Sequence, residues 1–294
     1  SAGKELWRKD LDMEKKLLHE KVWMWIVFAI FVLYSLTLIF PFVWCFYNSF
    51  KANDEFFLDV WSLPKEWLFS NWVDSFTLSV NGVNILGMYG NSIFMTVACT
   101  GISIMMSAMT SYIIAKYRFR GSMFFYSAAF VLMMIPSMGS MSAMYKMYND
   151  LGLYDTYLGI IIGSFGGFGT GFVLLYGFFK NLDWSYAEAA SVDGAGHYTI
   201  FFRIMFPMAL PGIVAVAILS AIGVWNDYFT VYMYAPSKTT IAVGLQGLVD
   251  QMKYRANYPL LFAVMLISLI PILTVFGIFQ KTIMENTTVG GLKG

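Results

Sequence analysis

The chain has 294 residues, of which 58% are hydrophobic and only 13% are charged, with a formal net charge of +1. A soluble domain usually has about 25% charged residues, so an ordinary soluble fold is excluded, and the near-neutral charge gives no support for a nucleic-acid-binding protein. The two cysteines, Cys45 and Cys99, lie inside apolar runs without metal-ligand spacing, which argues against a disulfide framework or a zinc site. Much of the surface is therefore expected to face lipid.

Six apolar windows are long enough to cross a bilayer, whose core of about 30 Å takes roughly 20 helical residues. They cover residues 22–47, 89–115, 122–143, 158–179, 208–232 and 260–280. All of them lack Lys, Arg, Asp and Glu except the fifth, which contains Asp227. The first is too long for a signal peptide, so we expect it to remain as a span. The sequence predicts an all-α, polytopic membrane protein with six transmembrane helices.

Positive charges are unevenly divided between the two sides of these spans. The N-terminal arm, the second-to-third and fourth-to-fifth connections and the C-terminal tail hold thirteen Lys and Arg residues, and the opposite side holds six. The positive-inside bias therefore predicts that both termini are cytoplasmic. We expect a basic cytoplasmic arm at 1–21, a transmembrane domain at 22–285 with a cytoplasmic loop at 180–207, and a cytoplasmic tail at 286–294.

Two further segments have distinctive patterns. Charged and apolar residues alternate between Leu6 and Leu18, which is typical of a helix lying on anionic lipid. The long outer connection at 51–88 is acidic in places and contains Trp61, Trp67 and Trp72. This pattern is compatible with a segment at the lipid–water boundary and with a docking surface for an external partner.

The loop at 180–207 has the local signals of a helix–glycine–helix elbow. Ser185 to Glu188 fits a capping box, and Gly194 follows the predicted helix 186–193 where a left-handed residue is favoured. Gly196 gives a second break, and a further helix is predicted at 197–205. Pro207 and Pro211 flank the entry to the fifth span, a position that suits them because proline is tolerated in the first turn of a helix.

These residues resemble the EAA loop of bacterial ATP-binding-cassette (ABC) importer permeases. The resemblance rests on a pattern of about 24 residues with fixed internal spacing: Glu188, Ala189, Ala190, Asp193, Gly194, Ala195, Phe201, Ile204, Pro207 and Pro211. Phe206 stands where the family commonly has Leu. Downstream, Trp225-Asn226-Asp227-Tyr228 and the tail Gly290-Gly291-Leu292-Lys293-Gly294 are similar to the carbohydrate-uptake branch, the relatives of the maltose-importer permeases.

The resemblance implies a fold, a location and a set of partners. We expect the ABC importer permease fold in the bacterial cytoplasmic membrane, with a second, homologous permease subunit of different sequence that forms a heterodimer with this chain, two ATPase subunits and an extracytoplasmic sugar-binding protein. The elbow would insert into a cleft of the ATPase, with Glu188 at the cleft mouth, Ala189 and Ala190 packed closely, and Gly194 as the turn. ATP and Mg²⁺ would be bound by the ATPase, so no cofactor is expected in this chain.

Residues with the capacity for chemistry are few. No Gly-Lys-Ser/Thr sequence for cradling phosphate occurs, and the two histidines lie in separate segments, so an enzyme is not expected. A carboxylate within a span is costly. Asp227 is therefore interpreted either as a structural cap near the outer end of its span or as part of a substrate path with Trp225, Asn226 and Tyr228. An ion-driven secondary transporter is the alternative class, but it would have several ionisable residues within the spans.

Overall fold

In a computed structural model, the backbone is described for residues 2–117, 119–135, 137–254 and 256–289, and the side chains for 20–117, 119–135, 139–254 and 256–281. Arg118, Pro136 and Arg255, the side chains of the basic arm up to residue 19 and the tail at 290–294 lie outside these ranges. Within them, the chain is helical apart from its connections and one two-stranded antiparallel hairpin, Ser79–Val80 with Val83–Asn84.

The helices follow one another in a single chain of elements. In the first half they are α1 (Ala2–Asn48), α2 (Asn53–Leu58), α3 (Ser70–Thr77), α4 (Ile85–Lys116), α5 (Ser122–Met134), a 3₁₀ turn (Ser137–Ser140) and α6 (Met141–Asp150). In the second half they are α7 (Tyr157–Gly163), α8 (Thr170–Asn181), α9 (Ser185–Val192), α10 (His197–Ile200), a π-helical turn (Phe201–Met205), α11 (Phe206–Asn226), α12 (Phe229–Tyr234), α13 (Ile241–Gln251) and α14 (Tyr258–Val289).

Four helical segments in the described chain are long and apolar enough to cross a membrane: Glu20–Asn48, Ile85–Lys116, His197–Asn226 and Tyr258–Lys281. They correspond to the first, second, fifth and sixth predicted spans. The third and fourth windows are instead divided into shorter helices. Position 136 is a proline, which forces the residue before it out of the helical region, and Ile135 is extended, with φ −77° and ψ 118°. The six-span architecture and the cytoplasmic position of both termini stay predictions.

A glycine-rich break divides the fourth window. α7 ends at Gly163 and α8 begins at Thr170. The intervening sequence Ser-Phe-Gly-Gly-Phe-Gly contains three residues that weaken a helix by about 1 kcal/mol each relative to Ala. A Cβ added at Gly167 would lie 2.7 Å from Thr110 Oγ1. The glycine therefore lets the break approach α4 closely.

The fifth predicted span needs its limits corrected from 208–232. The helix starts at His197, before the predicted entry prolines, and ends at Asn226. Pro207 has no N–H to donate. The chain widens into the π-helical turn just before it, where the Phe206 N–H donates to the Phe201 carbonyl five residues back. This widened turn lets one helix run from the predicted cytoplasmic loop into the membrane.

α4 lies at the centre of the fold. It packs against α8 and α11, and its N-terminal half also contacts α7 and α13. α1 is peripheral, because every described side chain from Glu20 to Val43 is exposed and only its C-terminal end packs against other helices. There Trp44 packs edge-on against Phe56 and Phe262. The bundle built on α4 therefore positions the two regions described next.

Candidate functional site

We call residues 185–200, which comprise α9, the glycine turn and α10, the elbow. Its first helix is capped differently from the sequence prediction. Ser185 is the first residue of α9 and not its N-cap, so the predicted Ser185–Glu188 capping box is wrong. The N-cap position is Trp184, whose side chain makes no cap hydrogen bond. Asp183, one residue earlier, caps the helix instead, because its Oδ1 accepts the Ser185 N–H at 3.0 Å. That hydrogen bond holds the pKa of the Asp183 carboxyl below its usual range.

The turn of the elbow has the geometry that was predicted from its glycine. Gly194 has φ +81°, a conformation that costs an L-residue about 1–2 kcal/mol. The Ala195 N–H donates to the Ala190 carbonyl at 2.9 Å, and the Gly194 N–H to the Ser191 carbonyl at 3.1 Å. These two bonds form a Schellman motif, with Asp193 as the C-cap. The prediction of a left-handed Gly194 is confirmed.

The inner face of the elbow packs on the ends of the long helices. Ala187 is completely buried in a cluster that also contains Phe179 of α8 and Tyr112 of α4. Phe201, at the start of the π-helical turn, lies 5.0 Å from Tyr112 between ring centroids. Ala190, Ala195 and Ile204 pack around this cluster as partly buried residues. The elbow is therefore attached to α4, α8 and the start of the helix that continues into α11 through one apolar core.

Polar contacts support the same attachment. The Tyr117 hydroxyl lies 2.9 Å from His197 Nδ1, which joins the end of α4 to the first residue of α10. Lys116 Nζ donates to the carbonyls of Lys180 and Leu182, where a positive charge interacts favourably with the C-terminal end of α8. Sequence reasoning did not identify these contacts, because their partners are 64 to 80 residues apart.

The outer face of the elbow is free in the described structure. Glu188, Ala189, Asp193 and Gly194 are exposed, and so are the predicted support residues Pro207 and Pro211. Val192 is 88% exposed, which is unusual for a branched apolar side chain held on a fixed helix. Tyr186 and Tyr198 add 55% and 76% exposed aromatic side chains. An exposed face with these apolar residues is typical of a protein-binding surface.

The second region, which we call the break pocket, is a cavity of about 60 Å³ where two interrupted helices meet. Ser164 follows the end of α7, and Asp227 follows the end of α11. The lining residues come from α4, α7, α11, α12 and the start of α13: Ser92, Met95, Cys99, Ile160, Ser164, Val224, Trp225, Asp227, Thr230, Val231 and Thr240. Among them, none carries a positive charge.

The structure separates the four predicted substrate-path residues into two pairs. Trp225 and Asp227 line the break pocket, and Asp227 Oδ1 accepts the Thr230 N–H at 3.0 Å, which caps α12. Asn226 and Tyr228 lie outside the lining and are exposed on either side of Asp227. The Asn226 Nδ2 donates back to the Ile222 carbonyl. Asp227 therefore has a structural cap contact and also borders a small cavity that is lined by both polar and apolar side chains.

Comparisons with known proteins agree with this architecture. Residues 104–286, which include the elbow and all of the break-pocket lining except Ser92, Met95 and Cys99, match the family described as the binding-protein-dependent transport system inner membrane component. The chain belongs to this family. It is a membrane transport subunit and not an enzyme, and the identification of the chain as an ABC importer permease is confirmed.

Individual permeases resemble the chain along most of its length. The diacetylchitobiose uptake system permease protein NgcG of Streptomyces coelicolor is 29% identical, over 89% of this chain and 86% of that protein. The arabinooligosaccharides transport system permease protein AraQ of Halalkalibacterium halodurans is 28% identical, over 92% and 96%. The crystal structure of a bacterial ABC transporter that imports the acidic polysaccharide alginate aligns with a TM-score of 0.72 and 25% identity, over 87% of this chain and 95% of that chain.

Proposed function

We propose that this permease is the membrane-spanning subunit of an ATP-driven, binding-protein-dependent importer for a sugar or oligosaccharide. The substrate class is supported by the diacetylchitobiose, arabinooligosaccharide and alginate transport of its relatives. The observation that carries the coupling mechanism is the two-faced elbow, which is packed on α4 and α8 by its inner face and exposed on its outer face.

In the proposed mechanism the elbow enters a cleft of a separate ATPase. Glu188 makes polar contacts at the cleft mouth, and the small, exposed Ala189 allows close approach. Ala187 and Ala190 instead face the permease core, so they transmit the movement. Because one helix runs from His197 to Asn226, a displacement of the elbow tilts α11 and the parts of α4 and α8 that are packed with it.

The complete importer requires other subunits. We infer a second homologous permease, two ATPases that bind ATP and Mg²⁺, and an extracytoplasmic binding protein. The exposed outer face of the elbow supports the proposed contact with the ATPase. The membrane-facing helix α1, whose side chains are exposed between Glu20 and Val43, faces lipid or a neighbouring permease. Closure of the ATPases then drives the spans from inward-open to outward-open, where the binding protein delivers the sugar.

The coupling role can be tested in proteoliposomes that contain the complete complex. Glu188→Lys is expected to abolish ATP-dependent uptake and co-purification of the ATPase, whereas Glu66→Lys, an exposed charge reversal in the outer connection, should leave the ATPase bound. Wild-type uptake of neutral oligosaccharides should require both ATP and the binding protein. Uptake by this chain alone under an ion gradient would contradict the proposal and favour a secondary transporter.

A further inference from the structure

Residues 57–69 of the outer connection, which we call the collar, expose several large apolar side chains. Leu58 is 85% exposed and Trp61 is 68% exposed. The other exposed apolar side chains of the collar are Phe57, Leu63, Trp67 and Phe69. Exposed apolar side chains grouped on one short segment indicate a contact with another molecule or with lipid. The sequence alone leaves two partners open for this segment, the lipid–water boundary and an external protein.

The collar folds back along the membrane helix that precedes it. The Trp61 ring stacks on Phe40, with centroids 6.2 Å apart and an interplanar angle of 24°, and it lies 6.2 Å from the ring of Trp44. Phe40 is eight residues before Asn48, the last residue of α1, which corresponds to about 12 Å of helix. The collar therefore covers the side of the last two turns of α1 and does not simply extend beyond its end.

The lengths of two membrane helices locate the boundary of the hydrocarbon core beside the collar. A core of about 30 Å takes roughly 20 helical residues. Counted from residue 22, where the apolar run of α1 begins, this length ends near Pro41. Counted back from residue 280 in α14, it ends near Leu261. The two helices therefore give two independent positions for the same boundary.

These two positions agree, and Trp61 lies beside them. Trp44 of α1 packs against Phe262 of α14 with ring centroids 5.2 Å apart, so the two helix positions are at one level to within about one turn. Because Trp61 lies over Phe40 and Trp44, its ring is at this level too. Tryptophan is enriched at the membrane–water interface, since its ring is apolar and its N–H is polar. A soluble protein would have to enter the lipid to reach this side chain.

Buried polar contacts hold the collar in this position. The side chain of Lys51 is completely buried, and its Nζ donates to the Asp59 carbonyl at 2.7 Å and lies over the Tyr47 ring. The Asp59 carboxylate accepts the N–H groups of Trp61 at 2.9 Å and Ser62 at 3.2 Å. Because a buried ammonium group needs hydrogen-bond partners, these contacts fix the turn that directs Trp61 back towards α1.

We propose that the collar lies in the headgroup layer of the bilayer, with Trp61 at the boundary of the hydrocarbon core, and that its partner is lipid. The collar is continuous with α1, whose side chains from Glu20 to Val43 are exposed, so one apolar surface runs from the helix into the collar. The headgroup layer is polar and therefore accommodates the exposed charges of Lys65 and Glu66. This inference concerns the contact with the bilayer and does not depend on which solute is transported.

The test measures the depth of two collar positions in proteoliposomes that contain the complete complex without other reactive cysteines. With Cys45 and Cys99 replaced, Trp61→Cys or Leu58→Cys receives a nitroxide label. Collisions of the label with oxygen, which concentrates in the hydrocarbon, are compared with its collisions with a water-soluble nickel chelate. The matched control is Gln251→Cys, an exposed polar position at the end of α13. Because Leu58 has no ring to stack on α1, its variant gives the answer if Trp61→Cys fails to assemble.

The ratio of oxygen to chelate collisions at positions 58 and 61 is expected to be at least about threefold higher than at position 251, with both labels within about 10 Å of the lipid phosphates. Addition of the binding protein should leave these ratios unchanged. A ratio equal to that at position 251 would overturn the inference, because the collar would then face water. Loss of collisions with both reagents would also overturn it, because protein would then cover the collar: the binding protein if the loss requires its addition, and the second permease if it does not.

Discussion

Two alanines of α9 lie in opposite environments, so the same substitution at each should have different effects. Ala187 is completely buried among side chains of α4, α8 and the π-helical turn. Ala189, two residues later on the same helix, is exposed. Replacing each by leucine adds the same three carbon atoms. The two variants therefore separate the packing of the elbow on the permease from the fit of the elbow into a partner.

Ala187→Leu is expected to destabilise the permease by about 1–3 kcal/mol, the usual cost of adding methylene groups to a filled core. Ala189→Leu should change its stability by less than about 0.5 kcal/mol, as for other surface substitutions, but should block docking of the ATPase. Thermal unfolding of the purified subunit in detergent measures the first effect, and co-purification of the ATPase measures the second. Normal ATPase binding by Ala189→Leu, or unaltered thermal stability of Ala187→Leu, would refute the assignment of the two faces.

Four further substitutions test local features of the fold. Gly194 has φ +81°, and a Cβ there would meet nothing within 4 Å, so Gly194→Ala tests the backbone conformation alone. It should destabilise the elbow by about 1–2 kcal/mol, measured as faster hydrogen exchange in α9. Unchanged exchange would contradict the conformational role of Gly194. Gly167→Val should lower the stability to heat by about 1–3 kcal/mol, because its Cβ would lie 2.7 Å from Thr110 Oγ1. Gly177→Ala, which has open space around its Cβ, should instead raise the stability by about 0.5–1 kcal/mol. Equal effects of the two substitutions would contradict the close approach of Gly167 to α4. The pKa of Asp183 is lowered from its usual 3.8, so the stability that its carboxylate gives to α9 is complete above pH 3.8 and is lost as the pH falls through the lower pKa of the folded protein. Asp183→Asn should therefore remove this pH dependence from hydrogen exchange in α9. A dependence that persists in the variant would contradict the cap.

The elbow was predictable from sequence because its determinants are local. A glycine placed after a short helix, followed by a second glycine, predicted the left-handed Gly194 and the helix that starts at His197. The exact cap was not predictable, because Asp183 and Ser185 are both good cap residues and lie two positions apart. Only the three-dimensional structure distinguishes them, through the hydrogen bond from the Ser185 N–H to Asp183.

The break pocket was not predictable from periodicity. An apolar window shows only that a segment prefers lipid or protein to water, so the windows at 122–143 and 158–179 were expected to be continuous spans. The pocket depends on the meeting of Ser92, Ser164 and Asp227, which are separated by more than 60 residues from one another. Contacts of this kind come from the packing of α4 against the ends of α7 and α11, and no local pattern encodes them.

The central claim, that the exposed face of the elbow contacts an ATPase, can be tested most directly by site-specific cross-linking in the assembled importer. After replacement of Cys45 and Cys99, Val192→Cys places one thiol on the elbow, and Val249→Cys places one on α13, where the valine is 44% exposed. A short cross-linker with a maleimide at one end and an amine-reactive ester at the other should link the cysteine at position 192 to a lysine of the ATPase. It should leave the cysteine at position 249 unlinked to the ATPase. Absence of any ATPase adduct at position 192, in both the nucleotide-free and the ATP-bound complex, would contradict the account.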